Sequence, residues 1–222
     1  RQDVARNHTT THLLHKALHE VLGDHAVQKG SLVAPDRLRF DFSHADPMTP
    51  EEIDTVEEII LDKIASGLPV ETVITDYEKA VDMGAMALFG EKYDQKVRVL
   101  RIGDYSMELC GGTHLRNTSE ALAFDIVSEG GIGSGLRRIE AVTGKAALTR
   151  LRTKERLLEA VSEVLKTPPD KTVDRVDSLI HELKHKEREL ESLRAKVAKY
   201  ESEDILSGAS EVDGIKFLAV QV

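Results

Sequence analysis

Tryptophan is missing from this sequence, and phenylalanine and tyrosine together supply only 4% of its 222 residues. A core built from it must be mostly aliphatic, and the 41% hydrophobic content is enough to build one. Cysteine occurs once, at Cys110. That excludes an intramolecular disulfide framework and fits a reducing compartment, where a thiolate stays free for metal. No apolar run approaches the roughly 20 residues that a membrane-spanning helix needs. No secretory signal pattern opens the chain, so the expected setting is cytosolic. The chain begins at Arg1 without a methionine and ends in a strand-like stretch over residues 214–222, so a fragment of something larger is expected. Basic residues are also outnumbered, with 30 Lys and Arg against 39 Asp and Glu for a net charge of -9. Phosphate binding is driven by lysine and arginine releasing counterions, which argues superficially against a nucleic-acid partner. Much of the acidity, however, sits in one segment (Asp46, Glu51, Glu52, Asp54, Glu57, Glu58 and Asp62) that reads as a solvated helix face. Arg137 and Arg138, with Lys145 nearby, leave room for a local basic edge.

Histidine, by contrast, is plentiful, with nine residues. His8, His12, His15 and His19 recur at 4-3-4 spacing and form one stripe on a helix, beside the apolar stripe of Leu14, Leu18, Val21 and Leu22. Cys110 and His114 are likewise four apart, in Cys-Gly-Gly-Thr-His. Zinc is commonly held by imidazole nitrogens and thiolate sulfurs, and residues at i and i+4 project from one helix face, so two such pairs can converge on one ion. Periodicity alone does not say which histidine pair would bind. A solvated helix face and a small buried cysteine would explain each feature singly; the lone cysteine in a glycine turn, with a histidine four residues on, favours metal.

A first helix is expected over residues 7–22, with Asn7 as N-cap and Gly23 as stop. Residues 37–42 alternate polar and apolar and should pair, as a half-buried strand, with residues 31–33 across Pro35-Asp36. Thr49-Pro50-Glu51-Glu52 is a capping box with proline at the first helical position, and its helix should end near Gly67. Residues 70–75, 97–102 and 122–128 are further strand candidates, which puts Cys110 on or beyond a short strand after Asp104. Strands and helices without regular alternation give an α+β domain over residues 1–147. Beyond it the apolar period is helical, broken at Thr167-Pro168-Pro169-Asp170. Val173, Val176, Ile180, Leu183, Leu190 and Val197 then follow heptad spacing, interrupted by Glu187 and Arg194. That stripe reads as scaffold, a helix packing on another in an antiparallel hairpin or a homodimer. The division expected is therefore 1–147, a helical linker or oligomerisation region over 148–206, and the start of another globular domain over 207–222.

The run Gly130-Gly131-Ile132-Gly133-Ser134-Gly135 lacks the dinucleotide fingerprint and has no lysine at a phosphate-loop position, so no nucleotide cofactor is expected there. A flexible hairpin loop explains it as well as a ligand cradle does. In the second case Arg137 and Arg138 would hold a phosphate bidentately.

Several stretches in order carry a family resemblance: residues 6–13 (RNHTTTHL), 28–33 (QKGSLV), 38–44 (LRFDFSH), 84–93 (GAMALFGEKY), 108–114 (ELCGGTH) and 135–144 (GLRRIEAVTG). Together they resemble the editing domain of bacterial alanyl-tRNA synthetases, and the helices after residue 147 are similar to the linker and the start of the C-terminal oligomerising region of that family. The resemblance implies an α+β editing domain followed by a long helical hairpin or coiled coil. It also implies one zinc held by His8, His12, Cys110 and His114, and places Thr11 and Gln28 close to the editing pocket. The implied reaction is hydrolysis of the ester in alanine tRNA mischarged with serine or glycine, with Thr11, Gln28, Cys110 and His114 in the catalytic pocket and Arg137 and Arg138 as tRNA contacts. ATP would be used only by an aminoacylation domain upstream of this sequence.

Four protein ligands fill a tetrahedral shell, the mark of a structural site, whereas a catalytic ion keeps a position for water. The sequence leaves open whether zinc activates water or positions the terminal adenosine. Cys110 as a nucleophile lacks an accompanying acyl-transfer signature. A free-standing trans-editing deacylase and a non-catalytic, zinc-stabilised RNA-binding module are the other classes compatible with these residues.

Overall fold

The structure is a computed structural model that describes residues 1–86, 94–207, 210–212 and 215–217. Residues 87–93 of the 84–93 motif, and most of the strand expected over 214–222, lie outside the described residues. The chain divides into two compact units, Arg1–Lys154 and Glu155–Val222.

The first unit opens with α1 (Gln2–Leu22), a stretch free of glycine and proline that ends at Gly23, whose φ of 103° lies in a region open to glycine. The helix starts five residues before the expected N-cap. Asn7 is consequently an interior residue, 1% exposed, and its side chain ties the helix to the sheet. Its Nδ2 donates to the Ala34 carbonyl at 2.7 Å, and its Oδ1 accepts from Thr143 Oγ1 at 2.7 Å. An asparagine ahead of an apolar period looks like a cap, but here tertiary hydrogen bonds use its amide instead.

One antiparallel sheet has the order β1-β2-β7-β6, built from Gln28–Val33, Leu38–Ser43, Leu136–Thr143 and Phe124–Gly133. The hairpin expected across Pro35-Asp36 forms, pairing Leu32 with Arg39 and Val33 with Leu38. β2 is more deeply buried than its alternation suggests, because it is a central strand and Arg138 of β7 covers Asp41. The glycine run is mostly strand rather than loop. Gly130, Gly131 and Gly133 pair along β7, and the turn is confined to Ser134-Gly135, where Gly135 has φ 69°. β6 begins at Phe124, two residues after the expected start, because Thr118–Ala121 forms a 3-10 turn and Leu122 closes it with φ 69°.

A second antiparallel sheet, β3-β4-β5, comprises Val70–Asp76, Lys96–Ile102 and Ser106–Leu109. Helix α2 (Pro50–Ala65) carries the expected box: Glu52 N–H donates to Thr49 Oγ1 and Thr49 N–H to the Glu52 carboxylate. A short helix α3 (Tyr77–Asp82) follows β3. Helix α1 touches β1, β2 and β7 of the first sheet, β5 of the second, and α2. Leu13, Leu14 and Leu18 of α1 pack with Phe40 and Phe42 of β2, Val56 and Ile60 of α2, Leu100 and Ile102 of β4 and Ile139 of β7. The core is aliphatic apart from its few phenylalanines, and burying each such side chain contributes about 1.5–3 kcal/mol. The architecture is α+β, as expected.

Helix α4 (Gly144–Leu165) contains the division between the units. In the second unit the Thr167-Pro168-Pro169 break appears as a 3-10 turn, Pro169–Lys171, where Ser162 and Thr172 share a 2.8 Å hydrogen bond. Helix α5 (Thr172–Ser207) follows, and its heptad residues Val176, Ile180, Leu183, Leu190 and Val197 are exposed. Residues 210–212 and 215–217 pair as two short strands, β8 and β9. Among the described residues, no helix is long and apolar enough to cross a membrane.

Candidate metal centre

Two local structures meet under α1. The first is one turn of α1 itself, whose i, i+4 spacing aims His8 and His12 the same way. The second is the turn after β5, which carries Cys110 and His114. Arg98 of β4 fastens this turn: its guanidinium donates to the carbonyls of Cys110, at 3.0 Å, and Gly112, at 2.6 Å, while the Cys110 N–H donates to the Arg98 carbonyl. The ligand atoms of His8, His12, Cys110 and His114 all lie within 4.8 Å of one another. Of the 4-3-4 stripe, then, His8 and His12 join Cys110 and His114, and His15 and His19 do not.

The geometry fits a metal ion on the chain's own terms. Cys110 Sγ lies 3.4 Å from His8 Nε2 and 3.3 Å from His114 Nε2. Zinc bonds of 2.0–2.3 Å in a tetrahedron set donor atoms about 3.5 Å apart. His12 Nε2 is buried without a hydrogen-bond partner among the described residues, an arrangement that is costly unless a ligand meets that nitrogen. Three imidazoles and one thiolate are a borderline-soft donor set suited to zinc.

The charges agree. Burial works to raise the Cys110 thiol, but the surrounding imidazoles of His114, His12 and His8 outweigh it and hold the group at about 3, a thiolate at neutral pH. Burial alone would depress the His12 imidazole; the Glu108 carboxylate and Cys110 outweigh it and push His12 up to about 10. Glu108 is itself buried, which would raise it, yet His12 and His15 hold it well below the usual carboxylate range. Burial keeps His114 below the ordinary histidine value despite its bond to Cys110.

The other predicted site residues make their hydrogen bonds outside this cluster. Thr11 is buried and donates its hydroxyl to the Asn7 carbonyl one turn back, at 2.8 Å. Gln28 heads β1, pairs with Phe42, and donates to Ser31 Oγ at 3.4 Å. Arg137 makes a fork of 2.5 and 2.6 Å with Glu129, and Arg138 one of 2.7 and 2.8 Å with Asp41. Both guanidiniums expected to meet phosphate thus face carboxylates.

Three residues around the cluster were not picked out from the sequence. Glu108 bonds to His12, Thr9 contacts His114 Nδ1 at 3.3 Å, and Arg98 holds the turn. Glu108 was legible in part, two residues before the only cysteine on an alternating strand. Thr9 and Arg98 carried no signal.

Comparison with known proteins points the same way as the site. Residues 97–140, which contain Cys110 and His114, match the family model described as the threonyl and alanyl tRNA synthetase second additional domain. The chain is 52% identical over 221 residues to an alanine–tRNA ligase of Acetivibrio thermocellus, 51% over 222 residues to that of Bacillus subtilis, and 49% over 223 residues to that of Enterococcus faecalis. Each comparison covers all of this chain and 25% of the relative, so the chain spans about a quarter of the length of the curated relatives it matches.

Proposed function

Taking the chain as a segment of the alanine–tRNA ligase family, to which it belongs, we propose that it is the proofreading segment: it hydrolyses the ester of alanine tRNA mischarged with serine or glycine, at a zinc ion held by His8, His12, Cys110 and His114. The observation that carries the reading is the convergence of three imidazoles and a thiolate within 4.8 Å inside a stretch that aligns throughout with alanine–tRNA ligases. Residues 1–147 form the deacylase domain, 148–206 the helical linker or oligomerising region, and 207–222 begin a further domain. The partner is alanine tRNA and the setting is the cytoplasm, with ATP used only by parts of the larger protein outside this sequence.

Such an activity has a physical reason. A pocket shaped for the alanine methyl gains only about 1–3 kcal/mol over glycine, and it cannot strongly reject serine, which merely adds a hydroxyl. A second site that hydrolyses the wrong esters restores accuracy.

When bound, zinc supplies a positive charge that polarises an ester carbonyl or water, or anchors the terminal adenosine. The chain's own contribution is distinct. Cys110 binds as a thiolate, and its position in the turn is fixed by Arg98. His12 holds a proton at Nδ1 against Glu108, leaving Nε2 toward the cluster. Thr11 and Gln28 serve as polar groups that read a seryl hydroxyl, and Arg137 and Arg138 serve as tRNA contacts once their carboxylate partners are exchanged for phosphate.

The test is ester loss from seryl- and alanyl-tRNA of the alanine acceptor, with the Cys110→Ala variant alongside. Selective, Cys110-dependent loss of serine is expected. Loss from neither substrate, with zinc still bound, would favour a second reading: four protein ligands saturate a tetrahedral ion, and the chain would then be a zinc-stabilised, non-catalytic tRNA-binding module. Thr11→Ala and Gln28→Ala should each change the ratio of seryl to alanyl hydrolysis.

A further inference from the structure

A histidine can bind zinc through either ring nitrogen, and what decides is the partner of the other nitrogen. Around this cluster two of the three imidazoles have that partner in place. His12 Nδ1 lies 2.8 Å from Glu108 Oε2. His114 Nδ1 lies 3.3 Å from Thr9 Oγ1, which also accepts from the Leu115 N–H at 3.0 Å. Each partner lies far from its histidine along the chain, Glu108 on β5 facing α1, and Thr9 on α1 facing the turn.

We infer that Glu108 and Thr9 are positioning residues of the metal site: they hold the protons of His12 and His114 on Nδ1 and so commit both rings to the metal through Nε2. The inference rests on the proposed zinc site and extends it to residues that touch its ligands, His12 and His114, without being ligands themselves.

Glu108 is built for this task beyond a single contact. It is 5% exposed, and besides His12 it accepts from His15 Nδ1 at 3.3 Å and from Ser106 Oγ at 3.1 Å. An ionised carboxylate offers about four acceptor positions, so all three donors are satisfied at once. Its plane is therefore fixed from two elements, α1 and β5, before any metal arrives. This also accounts for the third histidine of the stripe: His15 clamps the carboxylate that orients His12, and His19 packs edge-on against His15, with ring centroids 4.7 Å apart. Thr9 is equally constrained, fully buried and tied to the backbone that follows His114. His8 is different. Among the described residues its Nδ1 has no hydrogen-bond partner, and its ring is placed instead by packing against Gly112, His12 and His114.

The experiment uses the full chain and zinc alone. Long-range proton–nitrogen spectra of the zinc-loaded wild type should show His12 and His114 protonated at Nδ1 with Nε2 on the metal; either ring bonded through Nδ1 would overturn the inference without any variant. Zinc affinity, measured by chelator competition, should fall about 10–100-fold in Glu108→Gln and in Thr9→Val, the usual cost of removing such a partner. Thr9→Ser, which keeps the hydroxyl, should remain within a few-fold of wild type. Folded variants that bind zinc as tightly as wild type would make Glu108 and Thr9 merely structural and refute the assignment. A wild-type chain that binds no zinc would overturn both this inference and the metal site beneath it, whereas zinc binding without deacylation would overturn the proposed reaction alone.

Discussion

Gly112 offers a clean perturbation of the proposed metal centre. A Cβ built on it would stand 1.9 Å from His8 Cε1 and 2.3 Å from His8 Nδ1. Real Cβ contacts are essentially never under 3.0 Å, so in Gly112→Ala the His8 ring must retreat by about 1 Å. Metal–ligand distances tolerate only about 0.2 Å, and the displacement is several times that, so His8 loses its place in the shell. Nothing else should change much. The backbone at Gly112 is not in the left-handed region, and the atoms met belong to the far end of one side chain, so stability without metal should shift by less than about 1 kcal/mol. Loss of a ligand should weaken zinc by more than the roughly 10–100-fold cost of a lost supporting contact. Gly111→Ala is the control, since an added Cβ there has nothing within 4 Å. Chelator competition gives the affinities, and urea unfolding of the metal-free proteins gives the stabilities. Wild-type zinc affinity in Gly112→Ala would refute the placement of His8 as a ligand. A large stability loss would refute the claim that the glycine is needed for the site rather than the fold.

Three further predictions follow from the charges and the packing. With His12 at about 10 and Cys110 at about 3 in the metal-free protein, zinc uptake at pH 8 should release at least the His12 proton. Affinity should therefore rise with pH up to about 10, by about tenfold per unit for that one proton; calorimetry in buffers of different ionisation enthalpy that finds no proton release would refute the charge assignment. Glu108 titrates lower in the folded than in the unfolded chain. Its contribution is present above the ordinary carboxylate range and lost as the pH falls below it, so Glu108→Gln should flatten the acid limb of a urea-stability profile, and an unchanged limb would contradict this. Asn7→Ala removes two buried hydrogen bonds, to Ala34 and Thr143, and should cost about 2–4 kcal/mol by denaturant unfolding; a change near zero would restore the capping role that its position in the sequence suggested.

What could be read from the sequence divides along a physical line. Features made within one element were legible: the i, i+4 pairs of the metal cluster, the Thr49 box, the Gly23 stop and the hairpin over Pro35-Asp36 all depend on spacing and local backbone preference. Features made between elements were not. Asn7 before an apolar period has the local signature of a cap, and only the approach of Ala34 and Thr143 turns it into a cross-tie. Arg137 and Arg138 show the same limit from the other side. A guanidinium fork fits phosphate and carboxylate alike, and the choice is made by Glu129 across the β6–β7 turn and by Asp41 on β2. Four histidines on one face were equivalent by period, and only β5 tells them apart, setting Cys110 beside His8 and Glu108 between His12 and His15. The candidate site is thus a meeting of two locally coded halves, and the contacts of Glu108 and Thr9 that support it exist only after they meet. That ordering has a consequence for engineering the site: a His8–His12 helix turn moved alone to another scaffold would carry two ligands but neither Glu108 nor Thr9's backbone anchor at Leu115. It should bind zinc weakly, with no fixed choice of ring nitrogen. Adding the turn of residues 108–115 beneath it should restore both affinity and the Nε2 mode, and equal affinity in the two grafts would show that the support is dispensable.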